Sequence, residues 1–342
     1  DCSDSSRHKD RMNKTYCPRV NKFYETSLLP GIYIFVFFLA LATNRWGLKS
    51  LLQKWKKLGN INVFVLNLGL GNLLFLPALP FLAVYYLKQK KWIFGDAFCG
   101  ITRLSFNLNL YGSIGFLTCI SVYRYLAIVH PMRVMGKLTV THSVAISVMV
   151  WLLVSVQSLP DMFCAKTSYK NNTGKCYHTT SEKYVKDYLR YSLGWTFTGF
   201  FIPLLITLGC YGHVIAVLCR TNTIDKVLKQ RCLKLLFILI LLFSVCYIPY
   251  HVLKNLTLYS RVLSNRSIRI CPVWDKGAFA AHQITRGIVC LNSALNPLVY
   301  LHVDEDILAQ LRQLLQRAPQ MFNCRCVPVS GRVPVAQSED EV

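Results

Sequence analysis

A chain of 342 residues is long enough for two soluble domains, yet 53% of it is hydrophobic and only 16% is charged. With a mean hydropathy of +0.34, that composition argues against a soluble enzyme or binding domain. The formal net charge of +23 would suit nucleic acid, but basic loops against an anionic inner leaflet account for its cytoplasmic share.

In chain order, apolar residues gather into seven segments, roughly 28–48, 62–87, 97–129, 143–163, 189–218, 235–259 and 277–301. Each is near the span length of about 20 residues. Several contain proline (Pro80, Pro160, Pro203, Pro249, Pro297), which spanning helices accept more readily than soluble ones. The expectation is an all-α, single-domain membrane protein: a tail over 1–27, a seven-helix domain over 28–301, a membrane-surface helix over 302–317 and a flexible tail over 318–342.

Orientation follows from the first connection, where Arg45, Lys49, Lys54, Lys56 and Lys57 occur with no acid among them. Such a run marks the cytoplasmic side. Residues 1–27 are then extracellular, the C-terminus is cytoplasmic, and the protein is expected in the plasma membrane. Glycosylation acceptors at Asn13, Asn171 and Asn265 all fall outside in this arrangement. Asn255 also fits the acceptor pattern but sits within segment six, where it reads as a chance match. No cleavable signal peptide is visible, and an internal first span makes one unnecessary.

Fourteen cysteines do not make a disulfide scaffold, because Cys119, Cys210, Cys246 and Cys290 lie inside spans as small apolar packers. Cys99, at the outer end of segment three, and Cys176, in the second outer connection, face an oxidising compartment. Pairing them would pin that loop across the bundle. Cys17 and Cys271 form a second candidate outer pair, with Cys2 left over as a competitor for Cys17. Cys324 and Cys326 are candidates for acylation beside the membrane, with unmodified thiols the equal alternative. After segment seven, Ile307, Leu308, Leu311, Leu314 and Leu315 recur on one helical face, which predicts a helix lying on the inner membrane surface. The ending Asp340-Glu341-Val342 is a candidate for capture by a PDZ-type adaptor, and the same tail for arrestin; an ordinary acidic tail is the plainer reading.

Enzyme templates fail. The sequence has no glycine-rich phosphate loop, zinc spacing or nucleophile elbow, so neither metal nor cofactor is expected. Chemistry concentrates instead in three cations within apolar segments: Arg103, Lys254 and Arg286. A cation in hydrocarbon costs about 2.5–3.5 kcal/mol on insertion scales. Acids such as Asp96, Asp161, Asp187 and Asp275 occur only at segment ends and in loops. Arg103 lies four residues past Cys99, and Arg286 ten residues outward from Asn296, or about 15 Å along a helix. All three therefore fall in the outer half, where they can line a cavity for an anion from outside; guanidinium suits phosphate oxygens. The alternative is that an outer acid such as Asp187 folds in to pair them, or that Lys254 snorkels to the surface. Tyr111, Tyr250, His251, His282 and Gln283 supply ring faces and hydrogen-bonding edges at similar depth.

Seven spans with "NPLVY" (296–300), Trp151, Pro203 with Tyr211, and Arg124 closing segment three resemble the rhodopsin-like G-protein-coupled receptors. Within them, "WIFGDAFC" (92–99), "CYHTTSEKY" (176–184), "YIPYHVLK" (247–254) and "QITRG" (283–287) are similar to the metabotropic purinoceptors, above all the Gq-coupled adenine-nucleotide branch. The resemblance implies that Arg103, Lys254 and Arg286 contact nucleotide phosphates. It also implies that Arg124, Tyr211, Pro249, Asn296, Pro297 and Tyr300 serve switching and G-protein coupling. The implied ligand is an extracellular nucleotide, the implied partners a heterotrimeric G protein and membrane lipid.

Four departures stand out. Asn72 occupies the position where such receptors usually hold sodium with an aspartate, so Asn44 and Asn72 mark an altered sodium site and weak sodium sensitivity is expected. Tyr123 stands where an acid usually precedes Arg124. His178 replaces an acid common in that branch, and Asn107 a histidine facing the pocket, which leaves the nucleotide's identity open. A dicarboxylate or anionic-lipid receptor is the alternative within the class. A transporter or non-signalling protein is the alternative outside it, disfavoured by the lack of an inverted repeat.

Overall fold

The computed structural model describes residues 27–53, 60–130, 139–163, 167–170, 173–176, 180, 184–220, 234, 237–238, 240–265 and 272–303. The seven apolar segments are realised as seven helical passes. They are α1 (Leu29–Gln53), α2 with α3 (Asn60–Phe75, Ala78–Leu87), α4 (Asp96–Val129), α5 (Val140–Phe163), α6 with α7 (Val185–Thr196, Ile202–Arg220), α8 (Ile248–Asn265) and α9 (Pro272–Val303). Five stretches, including Leu29–Lys49 and Val185–Val217, are long and apolar enough on their own to cross a membrane. The passes outside that group, α4 and α9, carry Arg103, Asn107 and Asn109 on one and His282, Gln283 and Arg286 on the other. Polarity and position agree, because these side chains are buried inside the bundle while Phe35, Phe38, Leu153 and Val156 present apolar faces outward.

Prolines explain where the helices depart from regularity. A proline ring clashes with the carbonyl four residues earlier and cannot donate to it. For Pro203 that residue is Gly199, inside a π turn over Phe197–Phe201; for Pro249 it is Val245, inside a second π turn over Phe243–Tyr247. For Pro80 it is Leu76, at the break between α2 and α3. Each irregularity absorbs the clash by loosening the turn in front of the ring. Pro160 and Pro297 lie inside continuous helices.

Helix α4 is the hub, packed against α2, α5 and α7, while α9 closes the ring against α1 and α8. Small residues allow the close approaches. A Cβ on Gly115 of α4 would stand 2.9 Å from Val150 of α5, and Trp151 covers Gly71 and Gly112. The Trp151 indole N–H donates to Asn67 at 2.9 Å.

Strands β1 (Thr167–Lys170) and β2 (Thr173–Cys176) form an antiparallel hairpin with Thr167 opposite Cys176. Cys176 is disulfide-bonded to Cys99 in the first turn of α4, with Cα atoms 5.9 Å apart, as expected from the sequence. Tyr85 also donates to the Cys176 carbonyl at 3.2 Å. The hairpin is thus fixed to one end of the bundle, and Arg124 lies toward the other end of α4. Asn13, Asn171, Cys17, Cys271, His178, Cys324, Cys326 and the surface helix expected after Val303 lie outside the described residues. Asn265 ends α8. Asn255 is part-buried between helices, where its amide donates to Thr196 and accepts from Ser192, in keeping with a chance acceptor match.

Candidate functional site

Below the hairpin, five passes converge on one cavity of about 320 Å³, its open mouth included, lined by Arg103, Phe106, Asn107, Asp161, Tyr188, Tyr250, Lys254, His282 and Arg286. The helical repeat puts each cation there. Arg103 lies one turn below Cys99 on α4, Lys254 follows Tyr250 by one turn on α8, and Arg286 follows His282 by one turn on α9. The relative exposures of Arg103, Lys254 and Arg286 are only 5%, 5% and 3%. Lys254 therefore does not snorkel to the surface, and Asp187 is exposed rather than folded in.

One acid does enter. Asp161, read from the sequence as a segment-end residue, is buried and faces inward from α5. Its Oδ2 pairs with Arg103 Nη2 at 3.2 Å and accepts from Asn107 Nδ2 at 2.8 Å, while Oδ1 accepts from the Tyr188 hydroxyl at 2.9 Å. The expectation of a cation cluster without a carboxylate is corrected for Arg103. The lining still carries three cations against this single acid.

Aromatic rings support the cations. The Arg286 guanidinium lies 4.8 Å from the Phe106 ring centroid, and Lys254 Nζ lies 6.0 Å from that of Tyr250, both within cation–π range. Tyr250 packs edge-on against Phe106 and beside His282, with centroids 5.9 and 5.5 Å away. Asn107, Tyr250 and His282 line the cavity. Gln283 turns to α3 and accepts from the Tyr86 hydroxyl at 2.7 Å. Tyr111 and His251 lie outside the lining; Tyr111 packs against Trp195 and His251 stacks on Phe200. Tyr111 also fills the space above Gly199, where a Cβ would come within 2.9 Å of its ring. Asp161, Tyr188 and Phe106 were not singled out from the sequence. The signal for Tyr188 was its place one turn past Tyr184 at the start of the fifth pass; for Phe106 it was the i, i+3 spacing from Arg103.

One buried polar atom of the lining, His282 Nδ1, has no hydrogen-bond partner among the described residues. Leaving a buried donor or acceptor unmet costs about 1–3 kcal/mol, so this wall is better suited to a polar occupant than to apolar packing.

Deeper in the bundle the polar groups are neutral, and several of them bond to one another while Asn296 Oδ1 and the Asn292 amide find no partner among the described residues. Asn72 Oδ1 accepts from Asn109 at 3.0 Å and from Asn296 at 2.9 Å, and Asn72 Nδ2 donates to Asn44 Oδ1 at 3.0 Å. Asn44 in turn donates to the Ser293 carbonyl at 2.8 Å, and the Ser293 hydroxyl donates to Asn109 at 3.0 Å. Asn296 also reaches Ser113. Toward the far end Tyr211 and Ser121 share a 2.5 Å hydrogen bond one turn before Tyr125 and Arg124.

The seven passes, the disulfide-tied hairpin and the "NPLVY" stretch coincide with a match over residues 49–300 to the family described as 7 transmembrane receptor (rhodopsin family). The chain belongs to that family. The human Y-type purinoceptor 1 is 36% identical over 303 residues, which is 88% of this chain and 81% of that receptor. Its Gallus gallus counterpart is 35% identical over 315 residues, covering 92% and 85%. The Rattus norvegicus 2-oxoglutarate receptor 1 is 32% identical over 283 residues, covering 83% and 82%. Within the rhodopsin family this receptor falls with the purinoceptors. It is accordingly a multi-pass membrane receptor rather than an enzyme.

Proposed function

We propose that the receptor binds an extracellular nucleotide through its phosphates and signals through a heterotrimeric G protein of the Gq class. The observation that carries this reading is the convergence of Arg103, Lys254 and Arg286, from three different helices, on one cavity. Phosphate oxygens match guanidinium and ammonium donors, and Tyr250, His282 and Asn107 offer a base or ribose ring faces and polar edges. The names of the purinoceptor relatives agree with it. The hairpin end faces outside, where the basic first connection and the acceptor at Asn265 also put it. The N-terminus is then extracellular and the C-terminus cytoplasmic, with Cys17–Cys271 as a second outer disulfide, His178 as a further ligand contact, and glycans at Asn13, Asn171 and Asn265. At the inner end, Arg124 receives the tail of a G-protein α subunit, Cys324 and Cys326 carry acyl chains, and arrestin or a PDZ-type adaptor engages the C-terminal tail.

A ligand that prefers the contracted cavity shifts the population toward an inner face open to the G protein. The turn before Pro249 and the Asn296-Pro297 pair are the hinge points, with Tyr211 and Tyr300 serving the switch. Calcium release over a panel of nucleotides and dicarboxylates tests the proposal. A nucleotide should activate the receptor, and Arg286→Ala should weaken its potency about 100-fold or more, roughly the 3 kcal/mol of charge-assisted bonds lost. Silence toward every nucleotide, or an unchanged potency in the variant, overturns it.

A dicarboxylate is the second reading, and Asp161 is what favours it. By neutralising Arg103 it leaves an excess of two positive charges in the lining, the charge of a dicarboxylate. One relative's name carries 2-oxoglutarate.

A further inference from the structure

Asp161 is a costly residue to keep in a membrane-spanning bundle, and nothing in anion binding as such asks for it. Its carboxylate is nonetheless held firmly, by Arg103 and Asn107 of α4 and by Tyr188 of α6. It belongs to the wall of the cavity that would take an anion.

We infer that Asp161 is a specificity-determining residue: a tethered counter-anion that occupies Arg103 and thereby limits how many negative charges a ligand can use. The inference rests on reading the cavity as an anion site. Lys254 and Arg286, on α8 and α9, receive the first two negative charges. A further charge aimed at Arg103 meets a guanidinium whose Nη2 is already paired, with a like charge beside it at hydrogen-bond distance. Affinity should therefore rise with ligand charge up to about two and then flatten. In a site of effective dielectric near 20, removing the opposing charge changes affinity on the order of tenfold for each added negative charge on the ligand.

The test uses the full-length receptor in phosphatidylcholine nanodiscs at constant ionic strength. Inorganic phosphate, pyrophosphate and tripolyphosphate serve as probes, and affinities come from the probe-dependent rise in unfolding temperature. Wild type should bind pyrophosphate and tripolyphosphate within about threefold of each other. Asp161→Asn, which keeps the shape and removes the charge, should favour tripolyphosphate by on the order of tenfold more. Tyr188→Phe loosens the carboxylate but leaves its charge, and should retain the wild-type ratio. The double variant Arg103→Gln/Asp161→Asn removes the pair together, which buried pairs tolerate far better than loss of one partner. It should return the tripolyphosphate-to-pyrophosphate ratio to within about threefold of the wild-type value, whatever the absolute affinities.

Asp161→Asn altering all three probes equally, or none, overturns the inference. So does a double variant that favours tripolyphosphate by about tenfold or more over the wild-type ratio, which decides the matter if the single variant does not fold. Failure of wild type to bind any of the three probes removes the anion site and the inference with it. The nucleotide reading fails separately: a receptor with the expected phosphate behaviour but deaf to every nucleotide keeps the inference and loses the ligand. One that answers nucleotides with an unchanged ratio does the reverse.

Discussion

The bundle buries polar side chains in two regions that solve the same problem differently. In the deep lattice, Asn44, Asn72, Asn109, Ser113, Ser293 and Asn296 are neutral and exchange hydrogen bonds across four passes. In the cavity near the hairpin the groups are charged, and one carboxylate faces three cations. A polar cluster that closes on itself stiffens and specifies a fold. One left with surplus charge is prepared for something that arrives. The first region is therefore architecture, and the second a site.

Four changes put that contrast to the test. The largest effect is expected at the cavity, where Lys254→Ala, like Arg286→Ala, should weaken nucleotide-evoked calcium release about 100-fold while leaving surface expression within about twofold of wild type. If both variants signal normally, the cavity is not the site. Next, Asn72→Leu strips the lattice of the oxygen that Asn109 and Asn296 share. Asn296 keeps Ser113, but Asn109 loses its acceptor and Asn44 a donor, which should lower unfolding stability by about 2–3 kcal/mol, read as a fall in melting temperature without a matching shift in ligand potency. A smaller, more specific outcome is expected from Asn72→Asp. Agonist affinity in wild type should change less than about twofold when sodium is replaced by a large organic cation. The aspartate, which restores the charge that offsets sodium's desolvation, should raise that change to about tenfold, or about 1.4 kcal/mol. A strong sodium effect in wild type would sink the idea of a neutral lattice. Smallest of all, Tyr86→Phe removes the hydroxyl that fixes Gln283 and should cost about 1 kcal/mol of stability.

Most of the fold could be read from where apolar residues bunch, because a bilayer demands length and apolarity together and few sequences satisfy both seven times. Arg103, Lys254 and Arg286 were legible for the converse reason: a cation in such a segment needs an explanation. Asp161 was not. It lies two residues before the end of α5, where composition alone does not distinguish a side chain pointing into the bundle from one reaching water. Only packing, with Tyr188 and Asn107 both facing it, decides the direction. The π turns were hidden for a related reason. Proline marks a disturbance, but whether the helix kinks, breaks as at Leu76, or widens as before Pro203 and Pro249 depends on the neighbours it must still fit. Tyr111 and His251 show the limit of depth arguments, since both lie at the expected height yet turn toward Trp195 and Phe200.

The hub helix α4 contains no proline over its 34 residues and is clasped by α2, α5 and α7. The π turn before Pro249 adjoins α8, and α9 carries Pro297 within it. The three cations are thus divided between a fixed jaw and two jointed ones. In the proposed reading, a ligand held by Lys254 and Arg286 pulls on the jointed jaws from the moment it binds. Arg103, braced by Asp161 on the neighbouring helix, is the anvil against which they close.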